Sequence, residues 1–594
     1  MVDAKIRRYE MVLRNDVRWP DGVEKSVITI NGQFPGPTLE VRSGDTLEVT
    51  VRNNLADKEG TSLHWHGLKM RGNNSQDGTP GVTQCPIPPG STYTYRFQID
   101  PEQSGTFWYH SHTAGQRTEG LFGALIVHSP DAAADRSAAQ AISHAPHDLI
   151  KARDSQIFSG IPNAKMKREG LLPTHGLLRV GSVSYDEEVV LLLHDWYHRT
   201  AKETINWFES IRSLGKEPVP DNVLLNGVQS FDCERSIRKI VCDKSKGSRP
   251  RLRLNADKTY RLRLVNAGSL ATIYFSIDSH QLILIEADGT LIRPVLLKEV
   301  GIAPGQRYSV VLKPLNVTRE NKAFLLRMRL DPLKDFTYGN SALDLEPKGI
   351  VSYGFSTSEH QLNSAKHLER RYLSSQSGKA ANGTTDTDSV PLETTKFDDL
   401  SLMPLGDLAL LPEPEETVFI YVATSIRVKY GKTPRGFINN TSWRPPLDRP
   451  LLGLTVTERD AGDWGNDQFV VKVARKTVVD LIVNNIEKGD HPFHMHGHHF
   501  YPLQTHASEL GYGSYNSNFA LPLPDVAPAL RDTFVIPARG YAILRVVFDN
   551  PGLWLFHCHN IYHMQTGMAM AFEVMGPQIR EEESRAARQL CPAA

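Results

Sequence analysis

One strand-and-turn unit is written into this chain three times, and that repeat limits the folds open to it. Thr46 to Arg52, Thr259 to Val265 and Lys476 to Val483 are rich in alternating apolar and polar residues. Such alternation places every second side chain on one face of a half-buried strand. The runs end in Asn53-Asn54, Asn266-Ala267 and Asn484-Asn485, and related turns lie upstream at Ile30-Asn31-Gly32, Leu225-Asn226-Gly227 and Ile438-Asn439-Asn440. Three copies of a short-stranded unit, in a chain carrying 44 Gly and 37 Pro, predict an all-β molecule of three consecutive Greek-key barrels or sandwiches. The units are expected at 1–130, 176–356 and 413–594. A polar, Ala-rich surface excursion (131–175) and a Ser/Thr/Asp-rich linker (357–412) separate them.

A second repeat links only the outer copies. Gly105 to His112 matches Gly552 to His559, and each is preceded by a similar strand, Pro89 to Phe97 and Ala538 to Val546. These segments carry most of the chemistry. The chain has 22 His, and chance placement gives a His-x-His pair about once. Five occur, all in four blocks: His64-Trp65-His66, His110-Ser111-His112, His491 to His498, and His557-Cys558-His559. On a strand, residues i and i+2 share a face, so each pair presents two imidazoles to one cavity. Eight buried imidazoles without a metal would repel and desolvate one another uncompensated.

Cys558 narrows the metal. With His491, His563 and Met568 it supplies two imidazoles, a thiolate and a weak axial thioether, the donor set of a blue-copper electron-transfer site. Zinc is the alternative; it takes four closed ligands or an open hydrolytic site and has no use for eight further histidines.

With these four blocks at these spacings, the chain resembles the multicopper oxidases, and within them the three-domain fungal laccases and ferroxidases. The resemblance covers nearly the whole chain, the two excursions excepted. It implies three cupredoxin-like domains and four copper ions: one type 1, one type 2 and two type 3. It implies His491, Cys558, His563 and axial Met568 at type 1, and His64 and His494 at type 2. His66, His110 and His559 would hold one type 3 copper, and His112, His496 and His557 the other. Cys558 would then connect the centres through its own neighbours, passing single electrons to a cluster that reduces O2 to two waters. Asp77 looks like the family's carboxylate near type 2. The chain departs from the family after His559, where Asn560 and Ile561 replace the usual acid-bearing pair and Tyr562 replaces a common Trp. Proton delivery is then expected to be slower or to use another route.

The reductant is less sharply marked. Glu217 aligns with a carboxylate that yeast-type iron oxidases use for Fe(II), Asp221 with the acid that fungal laccases use to accept a phenolic proton, and Glu487 with a second ferroxidase acid. Asp331 and Asp335 lie near a third such position. Asp221, and a C-terminal stretch without the ferroxidases' membrane anchor, favour a laccase-like oxidase of small phenols or naphthols, as in fungal pigment or phenol coupling, over a ferroxidase. Complete trinuclear ligation argues against a copper store without turnover.

The remaining features set the context. Lys+Arg and Asp+Glu both number 67, and no basic run occurs, which argues against nucleic acid as a partner. No apolar run approaches the ~20 residues of a membrane span. The N-terminus shows no signal peptide, so either the protein stays inside the cell or the sequence is a mature form. Sequons at Asn73, Asn316, Asn382, Asn439 and Asn440 favour a secreted or otherwise extracytoplasmic protein. Of five cysteines, Cys558 belongs to the histidine cluster. The other four either pair, as Cys233–Cys242 and Cys85–Cys591, or are free thiols.

Overall fold

The computed structural model describes residues 4–129, 183–354 and 397–592, apart from short interior stretches of which 426–433 is the longest. The excursion 131–175, the linker residues 357–396 and the sequons Asn316 and Asn382 lie outside the described residues.

Each repeated run becomes an interior strand with the same two neighbours. Thr46–Asn53 pairs parallel with Ile6–Arg18 and antiparallel with Thr92–Gln98. Tyr260–Asn266 does so with Glu187–Trp196 and Arg307–Leu312, and Thr477–Asn485 with Glu416–Ser425 and Gly540–Phe548. The repeated asparagines explain themselves. Asn31, Asn226 and Asn439 adopt left-handed backbone conformations (φ 53°, 49° and 45°), which Asn tolerates. Their side chains accept the N–H of Val12, Leu192 and Tyr421 at 2.7–2.8 Å, sealing the turn to the adjacent strand. At the far end, the amides of Asn53, Asn266 and Asn485 donate to Ile87, Ile302 and Ile536 carbonyls at 2.7–3.3 Å, pinning the strand end across the unit.

Six sheets result, two for each repeat. In the first unit the short strand His64–His66 lies at a sheet edge beside Gly105–His110. In the third, Gly552–Cys558 lies between His491–Met495 and Ala569–Val574. One contiguous apolar cluster runs through the first and third units, from Met11 to Met575. The middle unit has its own, around Leu262, Phe275 and Val310. The outer units are thus packed as one body, and their histidine strands meet in the seam.

Both cysteine pairs form disulfides, Cys85–Cys591 and Cys233–Cys242, and Cys558 is the buried free thiol. Near the first bridge, Glu583 accepts the Ser75 N–H at 2.7 Å and docks the helix Glu581–Ala587 onto the first unit.

Candidate metal centre

Strand pairing assembles the histidines. His64 lies opposite His110 in one antiparallel pair, and His494 opposite His557 in another. Alternation sends Trp65 away from the cluster to pack on Tyr95 and Phe97, with ring centroids 5.4 and 5.2 Å away. Five groups of three donors converge, each with its ligand atoms within 4.8 Å of one another: His64/His66/His494, His66/His110/His559, His112/His496/His557, His491/Cys558/His563, and His64/Asp77/His496. All twelve expected ligands, Met568 included, are buried.

The donor atoms fit a metal in their orientation. Nδ1–H of His64, His110, His494 and His557 faces the backbone carbonyl of Asp77, Ser111, Asp532 and Cys558 at 2.8–3.0 Å. Such anchoring fixes the tautomer and leaves Nε2 with its lone pair for a metal. Nε2 of His64, His110 and His494 has no partner. His66 is turned the other way: Nε2 meets Asp532 Oδ1 (3.2 Å) and Thr533 Oγ1 (3.0 Å), and Nδ1 is the unpartnered atom. Burial holds the pKa of His66, His110, His112, His557 and His559 well below the usual histidine value, and crowding by the other imidazoles, with Arg117 beside His110 and His559, pushes the same way. These rings are neutral, which is the form that binds metal.

The Cys558 group stands apart because Cys558 alternates with His557 and His559 along the strand and faces the other way. Its Sγ lies 3.6 Å from His491 Nδ1 and 3.7 Å from His563 Nδ1, and the two nitrogens are 3.0 Å apart. The centre of that triangle is ~2 Å from each corner, close to a transition-metal bond to nitrogen or sulfur. Met568 is fully buried in the same apolar cluster as Cys558 and Phe493, and its carbonyl accepts the Cys558 N–H at 3.1 Å. His563 is delivered by the short helix Ile561–Gln565, which Asn560 caps by accepting the Tyr562 N–H at 3.0 Å. The departure after His559 thus has a local reason: Asn560 is the cap, and Ile561 packs with Tyr197, Phe208 and Tyr562 where a carboxylate would be stranded.

Two buried carboxylates grip the cluster. Asp77 Oδ2 accepts from His496 Nδ1 (2.9 Å) and Thr79 Oγ1 (2.7 Å), and Oδ1 lies 3.3 Å from His64 Nδ1. Burial pushes its pKa up, but His496 and His64 outweigh it and hold Asp77 well below the carboxylate range. Asp532, which the sequence did not mark, faces His66 and takes a two-pronged contact from Arg307 at 2.6 and 2.7 Å. No spacing rule pointed to it; it precedes Thr533–Ile536, the strand paired with His491–Met495.

The expected substrate acids separate. Glu217 Oε1 lies 2.9 Å from His563 Nε2, the ring atom turned away from Cys558. Burial lowers the His563 pKa, but Cys558 and Glu217 together raise it to about 10. Asp221 lies in a different setting. Its carboxylate is buried and committed, accepting the His198 N–H at 2.9 Å and the Asn340 amide at 3.0 Å. Glu487 accepts the Thr424 N–H at 2.6 Å. Burial raises Asp335 to about 8, and neighbouring Lys334 pairs with Asp490 at 2.8 Å.

Family models described as multicopper oxidase match residues 12–132, 187–345 and 438–578. The iron transport multicopper oxidase FET3 of Gibberella zeae is 31% identical over 558 residues, 93% of this chain and 74% of the relative. Laccase-1 of Cryptococcus neoformans var. grubii is 30% identical over 576 residues, 94% of this chain and 79% of the relative. Among solved structures, Fet3p, a multicopper oxidase that functions in iron import, superposes with a TM-score of 0.73 at 25% identity, covering 98% of this chain and 94% of its own. The laccase from Botrytis aclada gives 0.73 at 27%, covering 99% and 92%. The chain belongs to the multicopper oxidase family. It is an oxygen-dependent oxidoreductase with histidine clusters for copper, and four coppers are typical of its kind.

Proposed function

We propose that this enzyme is a laccase-like oxidase of electron-rich phenols and naphthols, and that Glu217 rather than Asp221 receives the phenolic proton. When bound, the coppers supply one-electron oxidation at the Cys558 site and four-electron reduction of O2 to two waters at the histidine cluster. His491, Cys558, His563 and Met568 would hold the first. His64 and His494 would hold type 2, His66, His110 and His559 one type 3 copper, and His112, His496 and His557 the other. Cys558 and its flanking histidines would place the centres on one continuous stretch of chain. Asp77 stays anionic, orients His64 and His496, and offers a carboxylate for proton movement at the cluster.

The observation that favours a phenol is the Phe208 ring 6.4 Å from the His563 ring, beside the Glu217 carboxylate on His563 Nε2 at 2.9 Å. A phenol placed there meets an aromatic neighbour, an imidazole edge and a base, and loss of its proton makes electron loss easier. Of the other acids suggested for a cation, Glu487 accepts the Thr424 N–H, and Asp335 sits beside Lys334, which pairs with Asp490. Ferrous oxidation is the second reading, favoured by a carboxylate at the same nitrogen and by the FET3 relatives. The two disulfides support a location outside the cytoplasm; among the described residues no helix is long and apolar enough to cross a membrane.

Steady-state kinetics of wild type and Glu217→Gln on a naphthol, a methoxyphenol and Fe(II) test this. We expect wild type to prefer the naphthol and the variant to lose at least ~100-fold in kcat/KM on it, the lower end of general-base effects, with the blue absorption unchanged. A wild type that prefers Fe(II), losing it in the variant, replaces the phenol reading with a ferroxidase.

A further inference from the structure

Arg117 sits five residues beyond His112, in the turn before Phe122–His128, and is 2% exposed. Its Nη2 donates to the His559 carbonyl at 2.9 Å. Its Nη1 lies 3.0 Å from His559 Nδ1 and 3.1 Å from Nε2. An atom equally close to both ring nitrogens cannot lie in the ring plane without colliding with the carbon between them. The guanidinium therefore rests over the face of the imidazole, a cation on a π-system, and leaves the in-plane lone pair for a metal.

The surroundings give this charge no structural excuse. Among the described residues no carboxylate comes within 4.0 Å of the guanidinium, and Arg117 Nε has no partner. Asp195 acts on it from farther off, with its own oxygens committed to the N–H groups of Ser269, Leu270 and Ala271 at 2.6–3.0 Å. A guanidinium stays protonated in a protein interior, so the group is a cation at neutral pH. A buried cation without direct pairing destabilises a fold, and an apolar residue would fill the place more cheaply.

We propose that Arg117 is a positioning and charge-setting residue of the cluster: its fixed positive charge over His559, one residue from Cys558, favours the reduced state of the copper that His559 holds with His66 and His110. This rests on the ligand reading above. Each electron delivered from the donor lowers the charge of that site by one, and no proton moves on the arginine. Adding an electron beside a fixed cation relieves repulsion, and in a dry interior the effect is large.

Arg117→Lys keeps the charge and loses the fork; Arg117→Met loses the charge and keeps most of the length. In copper-loaded full-length protein, the copper-to-protein ratio and blue absorption are measured first, and the coupled copper pair is then titrated with graded reductant. We expect the Met variant to bind copper as wild type does, with its reduction equilibrium shifted at least tenfold toward the oxidised state, ~59 mV for one electron. The Lys variant stays near wild type. A Met variant that titrates like wild type, or Lys and Met variants that shift alike, overturns the proposal. A wild type that takes up no copper at the histidine cluster overturns the ligand reading instead, and with it this one. If Arg117→Met does not fold, Arg117→Gln carries the same comparison.

Discussion

Asp77 shows how much one carboxylate does in this molecule. It is buried, anionic and in contact with two imidazoles from different units, His64 and His496. Removing such an outer partner leaves the ligands in place but free to turn, which usually lowers metal affinity or activity 10- to 100-fold. Asp77→Ala is therefore expected to retain the blue absorption of the Cys558 site while oxygen consumption falls by about that factor; copper content per chain and oxygen uptake measure both. The histidines of this site were legible because their spacing is periodic and strands convert period two into a shared face. Asp532, Arg117 and the different surroundings of Glu217 and Asp221 were not. Each acts across a tertiary contact between segments hundreds of residues apart, or, for the two acids, depends on which carboxylate the backbone has already used as an acceptor.

The helix Ile561–Gln565 is too short to be stable alone, since isolated helices need about 12–15 residues. Its position comes from the Asn560 cap, from the Ile561 N–H donating to Ser269 of the middle unit at 3.0 Å, and from Ile561 and Tyr562 packing on Tyr197 and Phe208. Asn560→Ala removes the cap and is expected to cost ~1 kcal/mol. Because the same helix carries His563, the blue band should also weaken or shift, unlike the effect of losing a cap elsewhere. Thermal melting and the visible spectrum, recorded together, check this. The sequence marked Asn560 only as a departure from the family; its role as a cap appears once His563 is seen to need a helical turn beneath it.

Across the whole molecule, the middle unit contributes none of the proposed copper ligands yet clamps both outer units through buried charge. Arg307 reaches Asp532 in the third unit. Glu286 accepts the Thr106 N–H at 2.6 Å and hydroxyl at 2.9 Å in the first unit, while holding Arg261 at 2.5 Å. Burial raises the Glu286 pKa, but Arg261 and Arg263 outweigh it and bring it down to about 2. A carboxyl depressed on folding stabilises the native state fully above its unfolded value near 4.5, and that contribution is lost as pH falls toward 2. The contribution is ~3 kcal/mol in order of magnitude. Stability measured by denaturant should therefore fall across that window in wild type, and Glu286→Gln should show a shallower fall from a lower plateau. The repeat predicted three units; it did not predict this division of labour, because the clamp residues lie in strands whose alternating pattern looks the same whether a charged side chain meets water or a neighbouring unit.

The bridge between Cys85 and Cys591 joins positions 506 residues apart, so the covalent backbone of this enzyme is a ring enclosing nearly everything that holds the cluster. A single hydrolytic cut anywhere between those two cysteines opens the ring without creating a fragment that can diffuse away. After one such cut, the two chain segments separate covalently only if a reductant also opens the bridge.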